Sequence, residues 1–448
     1  MKKVWRFWMV LVWLGLCLNA AGEDSVRCPR VRLSKPQRLV PVAQKRIGNI
    51  FFGHSVAMSG KFMGVGAYGL HAYAGAAYMF VREGKHPNAT WVFQQVLKPN
   101  DRRPGDHYGL NIAMSLRTVI VGRPFADPSG EKSGSADVWV FNGRKWIRTQ
   151  QLLPPGNGWG HRGAWFGYGV AAAGQFICVG ARYQDKLDAR GGVKQAQAGA
   201  VYVYHRAKNV GDPYKLVQIL KGPNEVSFYG DELCLHGFEP GEGERRLLVG
   251  APRHSPKGQG AAYLYVRKGN RWALSQVLSP SDLYPGNGKQ HYGEGIAMSN
   301  TTIMIGGETA PSDKGRWTGQ VYAYRKVGKK WVQTGPLNPP EGVTSRALHG
   351  QRLGTDGKFA AVGQWGNMVK GTHRAGSFSH YVRCSDDSWT TSKPLALKTP
   401  YEQDSFGKKV TVKDGFLVVS APMRDTGPIP SAENRGAVWI YQYTTGNV

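Results

Sequence analysis

Apolar residues along most of this chain fall on every second position. Val119 and Val121, then Val138 and Val140, are typical, and no stretch repeats them at three and four, so the elements read as strands. The strands come in a fixed order. An aromatic residue and a glycine open each group, an alternating strand follows, a second strand runs into a Gly-centred turn, and a third alternates small residues with aromatics. The fullest copies are HYGLNIAMSLRTVIVGRP from His107, WFGYGVAAAGQFICVGAR from Trp165 and HYGEGIAMSNTTIMIGGE from His291, and weaker ones begin at Phe52, Tyr229, His349 and Phe406. Their pair glycines, Gly53, Gly109, Gly167, Gly230, Gly293, Gly350 and Gly407, lie 56 to 63 residues apart. A fourth strand is marked by Trp91, Trp146, Trp272, Trp331 and Trp389, followed in most copies by a glutamine and a leucine.

Four strands per period, repeated seven times, predict an all-β fold: a seven-bladed β-propeller with blades starting near residues 52, 108, 166, 229, 292, 349 and 406. The last copy ends at Tyr443 without a fourth strand, while residues 31–42, VRLSKPQRLVPV, read as the outer strand of a blade. The N-terminal strand is therefore expected to complete the seventh blade. Closing the ring in this way removes the free sheet edges.

The pattern resembles the FG-GAP repeat family, which includes the propeller of integrin alpha subunits and secreted bacterial members. FG stands at Phe52-Gly53, Phe166-Gly167 and Phe406-Gly407, and GAP at Gly250 to Pro252, with Ser420-Ala421-Pro422 and Gly180-Ala181-Arg182 as near copies. The resemblance covers roughly residues 31 to 443. It implies a binding propeller and raises calcium, held in that family by DxDxDG loops between strands one and two. Here those connections are tight, as at Ser59 to Lys61 and Ser115 to Thr118, and none carries three spaced carboxylates. The longer loop of blade four has Glu239, Glu242 and Glu244 without the spacing. No cofactor and no metal are expected.

Residues 1–22 combine Lys2, Lys3 and Arg6 with an apolar run from Phe7 to Leu18 and small residues at Ala20 to Gly22, the form of a secretory signal peptide. Residues 23–448 are expected to be a single propeller domain, secreted, periplasmic or on the cell surface, monomeric, with no transmembrane segment once the signal is removed. In such a compartment cysteines oxidise. Cys28 precedes the closing strand and Cys384 lies in the turn between strands three and four of blade six, on the same face, which predicts a Cys28–Cys384 disulfide. Cys178 and Cys234 fall inside strands and read as small buried hydrophobes.

Formal net charge is +28. Charges in the loops after strands two and four nearly cancel in places, Arg123 and Lys132 against Asp127 and Glu131. The tips after strand three are richer in unopposed cations: Arg144, Lys145 and Arg148; Arg267, Lys268 and Arg271; Arg325, Lys326, Lys329 and Lys330. These are either solvated hairpin tips or a polyanion-binding face. Nucleic acid is not expected of an exported chain.

No GxSxG elbow, HExxH or Walker loop is present. His107 and His291 occupy equivalent repeat positions and read as structural, while His54 and His349 near the same layer leave a ring of imidazoles around the channel open. Ligand contact is expected from the long loops after strand two and at blade entries, where aromatic residues stand beside cations. The candidates are Trp159, His161 and Arg162 at the entry to blade three, Arg182, Tyr183, Lys186 and Arg190 in its long loop, Trp317 in blade five, and Trp365, His373 and Arg374 in blade six. For Trp317 and Trp365 packing and binding stand as equal readings. The function expected is recognition of a protein or an acidic or sulfated glycan through these face loops. The alternative is a polysaccharide lyase or glycoside hydrolase with its active site at the channel mouth.

Overall fold

The structure is a computed structural model and describes residues 26–41, 48–86, 88–155, 162–187, 193–207, 209–223, 226–238, 243–254, 258–269, 271–280, 290–310, 317–425 and 434–446. The signal-like segment 1–22 lies outside the described residues. Seven antiparallel sheets of four strands stand in a ring as a β-propeller. The innermost strands, in order, are Val56–Ser59, Ile112–Ser115, Phe166–Ala173, Leu233–His236, Tyr292–Met298, Leu353–Thr355 and Val410–Lys413. Second strands such as Phe62–Ala67 and Phe359–Gln364 are buried throughout, being covered by a blade on each face.

The seventh sheet is closed by the N-terminus. Ala437–Gly446 pairs with Phe416–Ala421 on one side and with Arg30–Leu33 and Gln37–Leu39 on the other. A glutamine clamp shows that this N-terminal segment occupies the outer-strand position. Between blades one and two, Gln95 Nε2 donates to the Trp146 carbonyl at 3.0 Å and its Oε1 accepts from the Trp146 amide at 2.8 Å. The same reciprocal pair joins Gln218 to Trp272 and Gln276 to Trp331. Gln37 makes it with Trp91, at 2.8 Å in both directions, so the first blade is clamped to the seventh by the N-terminal strand. Cys28 and Cys384 are joined by a disulfide between the same segment and blade six.

The repeated glycines mark where blades touch. A Cβ on Gly66 would sit 2.0 Å from the Gly109 carbonyl oxygen of the next blade, and the contact recurs from Gly122 to Gly167 and from Gly250 to Gly293. The pair glycine thus presses its carbonyl into the space left by the glycine at the end of strand two, which is the physical content of the two motifs. The aromatic before the pair glycine meets a third-strand ring edge-on, as Phe52 does with Tyr78 at 5.3 Å and Phe166 with Tyr202 at 5.1 Å. Cys178 is buried in this packing and Cys234 is partly buried at the channel, both as free thiols. Among the described residues no helix is long and apolar enough to cross a membrane.

Candidate functional site

The residues that follow each pair glycine stand at the entrance to the inner strands. Unlike the rest of the repeat they change character from blade to blade: His54 and Ser55, Leu110 and Asn111, Tyr168 and Gly169, Asp231 and Glu232, Glu294 and Gly295, Gln351 and Arg352, Lys408 and Lys409. Acids therefore come from blades four and five and bases from blades six and seven. Lys409 Nζ reaches Glu232 Oε1 at 3.2 Å, an ion pair between the seventh and fourth blades, with each side chain 18% exposed. On the side of the turns between strands one and two lies a cavity of about 420 Å³, lined by inner-strand residues such as Met114, Ile296 and Val412, with Glu232 and Lys409 at its inner end.

On the opposite side of that pair the channel opens between the loops after strands two and four. Arg182 pairs with Asp231 at 2.6 Å. Arg352 Nη1 donates to the carbonyls of Gln351 at 2.8 Å and Glu294 at 3.3 Å. Gln351 Nε2 donates to Glu294 Oε1 at 3.2 Å, and its own Oε1 accepts from Trp365 Nε1 and, at 3.3 Å, from Lys408 Nζ. The Lys408 ammonium lies 3.9 Å from the centre of the Trp365 ring, with the Arg374 guanidinium 5.6 Å from it. His291 Nδ1 and Glu308 Oε1 are 2.9 Å apart. His291, Glu294 and Glu308 bring ligand atoms within 4.8 Å of one another and form a group that could hold a cation.

This crowding shifts protonation. Burial, with Glu308 and Asp231 nearby, pushes the Glu294 carboxyl up to about 7. Burial and the neighbouring Arg352 bring the Lys408 ammonium down to about 8. Burial and Lys408 depress His54 to about 3, so its neutral ring donates from Nδ1 to the Leu110 carbonyl at 3.0 Å. Burial works against the charge of Arg182, but Asp231, Tyr168 and Tyr183 outweigh it and hold the guanidinium protonated.

The other half of the mouth is aromatic. Phe51 stacks on Tyr68 at 4.9 Å, Tyr68 lies 5.2 Å from His107, His107 4.5 Å from Phe125, Phe125 4.5 Å from Trp165, Trp165 4.4 Å from Tyr183, and Tyr183 4.7 Å from Phe228. The rings form one arc across blades one to four. Arg182 ends it, 4.5 Å from the Phe228 ring centre and 4.4 Å from that of Tyr168. Three repeat positions supply these rings. Phe51, His107, Trp165, Phe228, His291, Leu348 and Ser405 each precede the aromatic-Gly pair, and all have left-handed backbone, φ from 52° to 60°. The backbone of His107 and His291 is thus set by the repeat, while their rings serve the mouth. A second is that of the proline in GAP, kept at Pro124, Pro252 and Pro422 but replaced by Tyr68, Arg182, Glu308 and Trp365, four residues of the mouth, and the residue after it supplies Phe125 and Tyr183.

Of the residues singled out from sequence, Arg182, Tyr183, Trp365 and Arg374 come together here. Arg162 is exposed and paired with Glu131 at 2.7 Å. Lys186 sits in a small hairpin, Lys186–Leu187 with Val193–Gln195, and donates to Gln195 Oε1 at 3.0 Å. Trp317 is 44% exposed and His373 is exposed, with its carbonyl accepting from the Gln403 amide. Trp159, His161 and Arg190 lie outside the described residues. Tyr168, Asp231, Glu232, Glu294, Glu308, Arg352, Lys408 and Lys409 were not singled out. Aligning the seven copies on the pair glycine exposes most of them, because the next two positions carry the least uniform chemistry of the repeat.

A model of the FG-GAP repeat matches residues 91–139 and 146–204. No curated protein matches the chain. Among solved structures, a "putative 6-phosphogluconolactonase" from Bacteroides fragilis NCTC 9343 is similar at 10% identity, over 80% of this chain and 87% of that one, with a TM-score of 0.49. The chain is a seven-bladed β-propeller that carries FG-GAP repeats.

Proposed function

We propose that this propeller is an exported binding protein that takes an acidic carbohydrate at the channel mouth, through the loops after strands two and four. One observation carries the reading: an uninterrupted arc of rings from Phe51 to Phe228 faces a half-circle of half-buried cations, Arg182, Arg352 and Lys408. Rings offer flat apolar faces to sugar carbons, and guanidinium and ammonium groups take carboxylate or sulfate oxygens. The Cys28–Cys384 bond suits an oxidising compartment and supports export of the chain.

A second reading, a glycan lyase or hydrolase, is favoured by one feature. Glu294, pushed up to about 7, stands beside Glu308 and His291 and can hold or release a proton near neutrality. One experiment addresses both. Residues 23–448 are applied to an array of neutral, uronic and sulfated glycans at low and high salt, and the recovered glycans are sized for cleavage. Binding of acidic glycans that weakens with salt and falls about tenfold or more in Trp165→Ala and Lys408→Met is expected. Binding unaffected by both substitutions contradicts the reading. Shortened glycan moves the assignment to the enzyme, and no binding at all directs it to a protein partner.

A further inference from the structure

A second concentration of charge lies far from the mouth, at the seam of blades three and four on the face of the turns between strands three and four. A cleft of about 410 Å³ is lined there by Phe176, His205, Val217, Arg267 and Arg271. Arg267 lies 4.7 Å from the Phe176 ring centre, and its amide donates to the Arg245 carbonyl at 3.0 Å, which sets a second guanidinium alongside. Arg245 in turn stands over Phe238 at 5.4 Å. The carboxylate next to it in sequence, Glu244, is taken by Lys326 at 3.1 Å. Among the described residues, none of Arg245, Arg267 and Arg271 forms an ion pair, unlike Arg182, Arg148 or Arg424, and Arg267 Nε is buried without a hydrogen-bond partner.

Three guanidinium groups and an imidazole therefore converge with nothing to neutralise them. Burial, with Arg245 beside it, lowers Arg267, and burial with Arg267 and Arg245 lowers His205, so the groups repel one another. An anion relieves such an arrangement. Its surroundings narrow the choice. Val217, 45% exposed, gives the cleft an apolar wall on which the carbon face of a sugar can lie. The cations continue along the same face through Lys215, which is in register with His205, and Lys268, which is in register with Arg271. A recess between blades also admits a group on a flexible chain more readily than a flat bilayer.

We propose that this cleft binds an oxyanion, a sulfate ester or carboxylate, of an acidic polysaccharide that continues past the neighbouring Lys215 and Lys268. The site is independent of the channel mouth. The test uses residues 23–448 with heparin, polygalacturonate, sodium sulfate alone and phosphatidylserine vesicles as probes. Arg245→Gln/Arg267→Gln/Arg271→Gln is compared with a charge-matched control, Lys145→Gln/Lys329→Gln/Lys330→Gln, each in the wild type and in Lys408→Met, so that losses at the mouth and at the cleft are read apart. Arg271→Gln alone, at an exposed position, serves if the triple substitution disturbs folding.

In both backgrounds the cleft substitutions are expected to weaken heparin or polygalacturonate binding about tenfold or more at low salt and to flatten its salt dependence, with the control changing it about threefold or less. Which of the two polymers binds identifies the oxyanion. Equal losses in the cleft and control variants overturn the site in favour of diffuse charge. Binding of vesicles but of neither polymer overturns it in favour of a membrane, and binding of sodium sulfate without either polymer overturns the polysaccharide.

Discussion

Replacing Glu232 by glutamine tests how the channel is held together. The carboxylate and Lys409 are 3.2 Å apart, and both side chains are only 18% exposed. At an effective dielectric constant of about 20, two charges at that distance attract by about 5 kcal/mol, from which the cost of desolvating them is subtracted. Burial alone would raise the Glu232 carboxyl, but Lys409 and Arg352 outweigh it and hold it below the usual range. Glu232→Gln removes the acid that Lys409 and Arg352 share and leaves Lys409 without its ion-pair partner. A loss of about 3–5 kcal/mol is expected, the usual result of orphaning one partner of a buried pair. Lys409→Met should cost less, because Arg352 still faces Glu232. The double variant should recover part of the loss, giving a coupling of about 2 kcal/mol. A depressed carboxyl contributes stability that is present above its unfolded-state pKa and lost as pH falls through its folded-state value. Acid should therefore destabilise the wild type by this route and spare Glu232→Gln. The assay is urea unfolding of residues 23–448 followed by circular dichroism, at neutral pH and in steps down to about pH 3. A coupling below about 0.5 kcal/mol, or a Glu232→Gln variant as stable as the wild type, refutes the reasoning.

Reduction of the Cys28–Cys384 bond, or its replacement by serines, should lower the unfolding free energy by about 2–5 kcal/mol, since it closes a loop across 356 residues; equal urea midpoints with and without reductant would contradict this. Gly66→Ala places a Cβ 2.0 Å from a backbone carbonyl of the next blade and should cost about 3 kcal/mol or more. Gly60→Ala, with φ of 55° and open space around it, should cost about 1 kcal/mol, and both are read by thermal unfolding. Glu294, raised in the folded chain to about 7, binds its proton more tightly folded than unfolded. Its contribution is full below about pH 4.5 and lost as pH rises to about 7, so Glu294→Gln should flatten stability against pH across that window.

The ring was legible because its causes are local and repeated. Small residues in strand three, the glycines where blades meet and the glutamine after most fourth-strand aromatics recur in phase, and the Gln37 clamp to Trp91 shows why residues 31–42 read as a displaced outer strand. The site was legible only where it breaks the pattern in a long loop, as at Arg182, Tyr183, Trp365 and Arg374. Asp231, Glu294, Arg352 and Lys408 sit in tight stretches one or two residues after the pair glycine, and each is an ordinary loop residue in its own copy. Only the curvature of the ring brings blades four to seven together, so the opposition of acids and bases is a property of closure rather than of any segment. His107 and His291 show how one residue can answer to both levels. Repetition sets their left-handed backbone, and position on the ring sets what their side chains meet.

Hydrogen exchange of residues 23–448 with and without the tightest-binding acidic glycan tests the central claim most directly. Binding at the mouth predicts slowed exchange in the loops that carry Tyr68, Phe125, Arg182 to Gln184, and Trp365 to Asn367. Protection confined to the hairpin tips between strands three and four, with those loops unchanged, contradicts it.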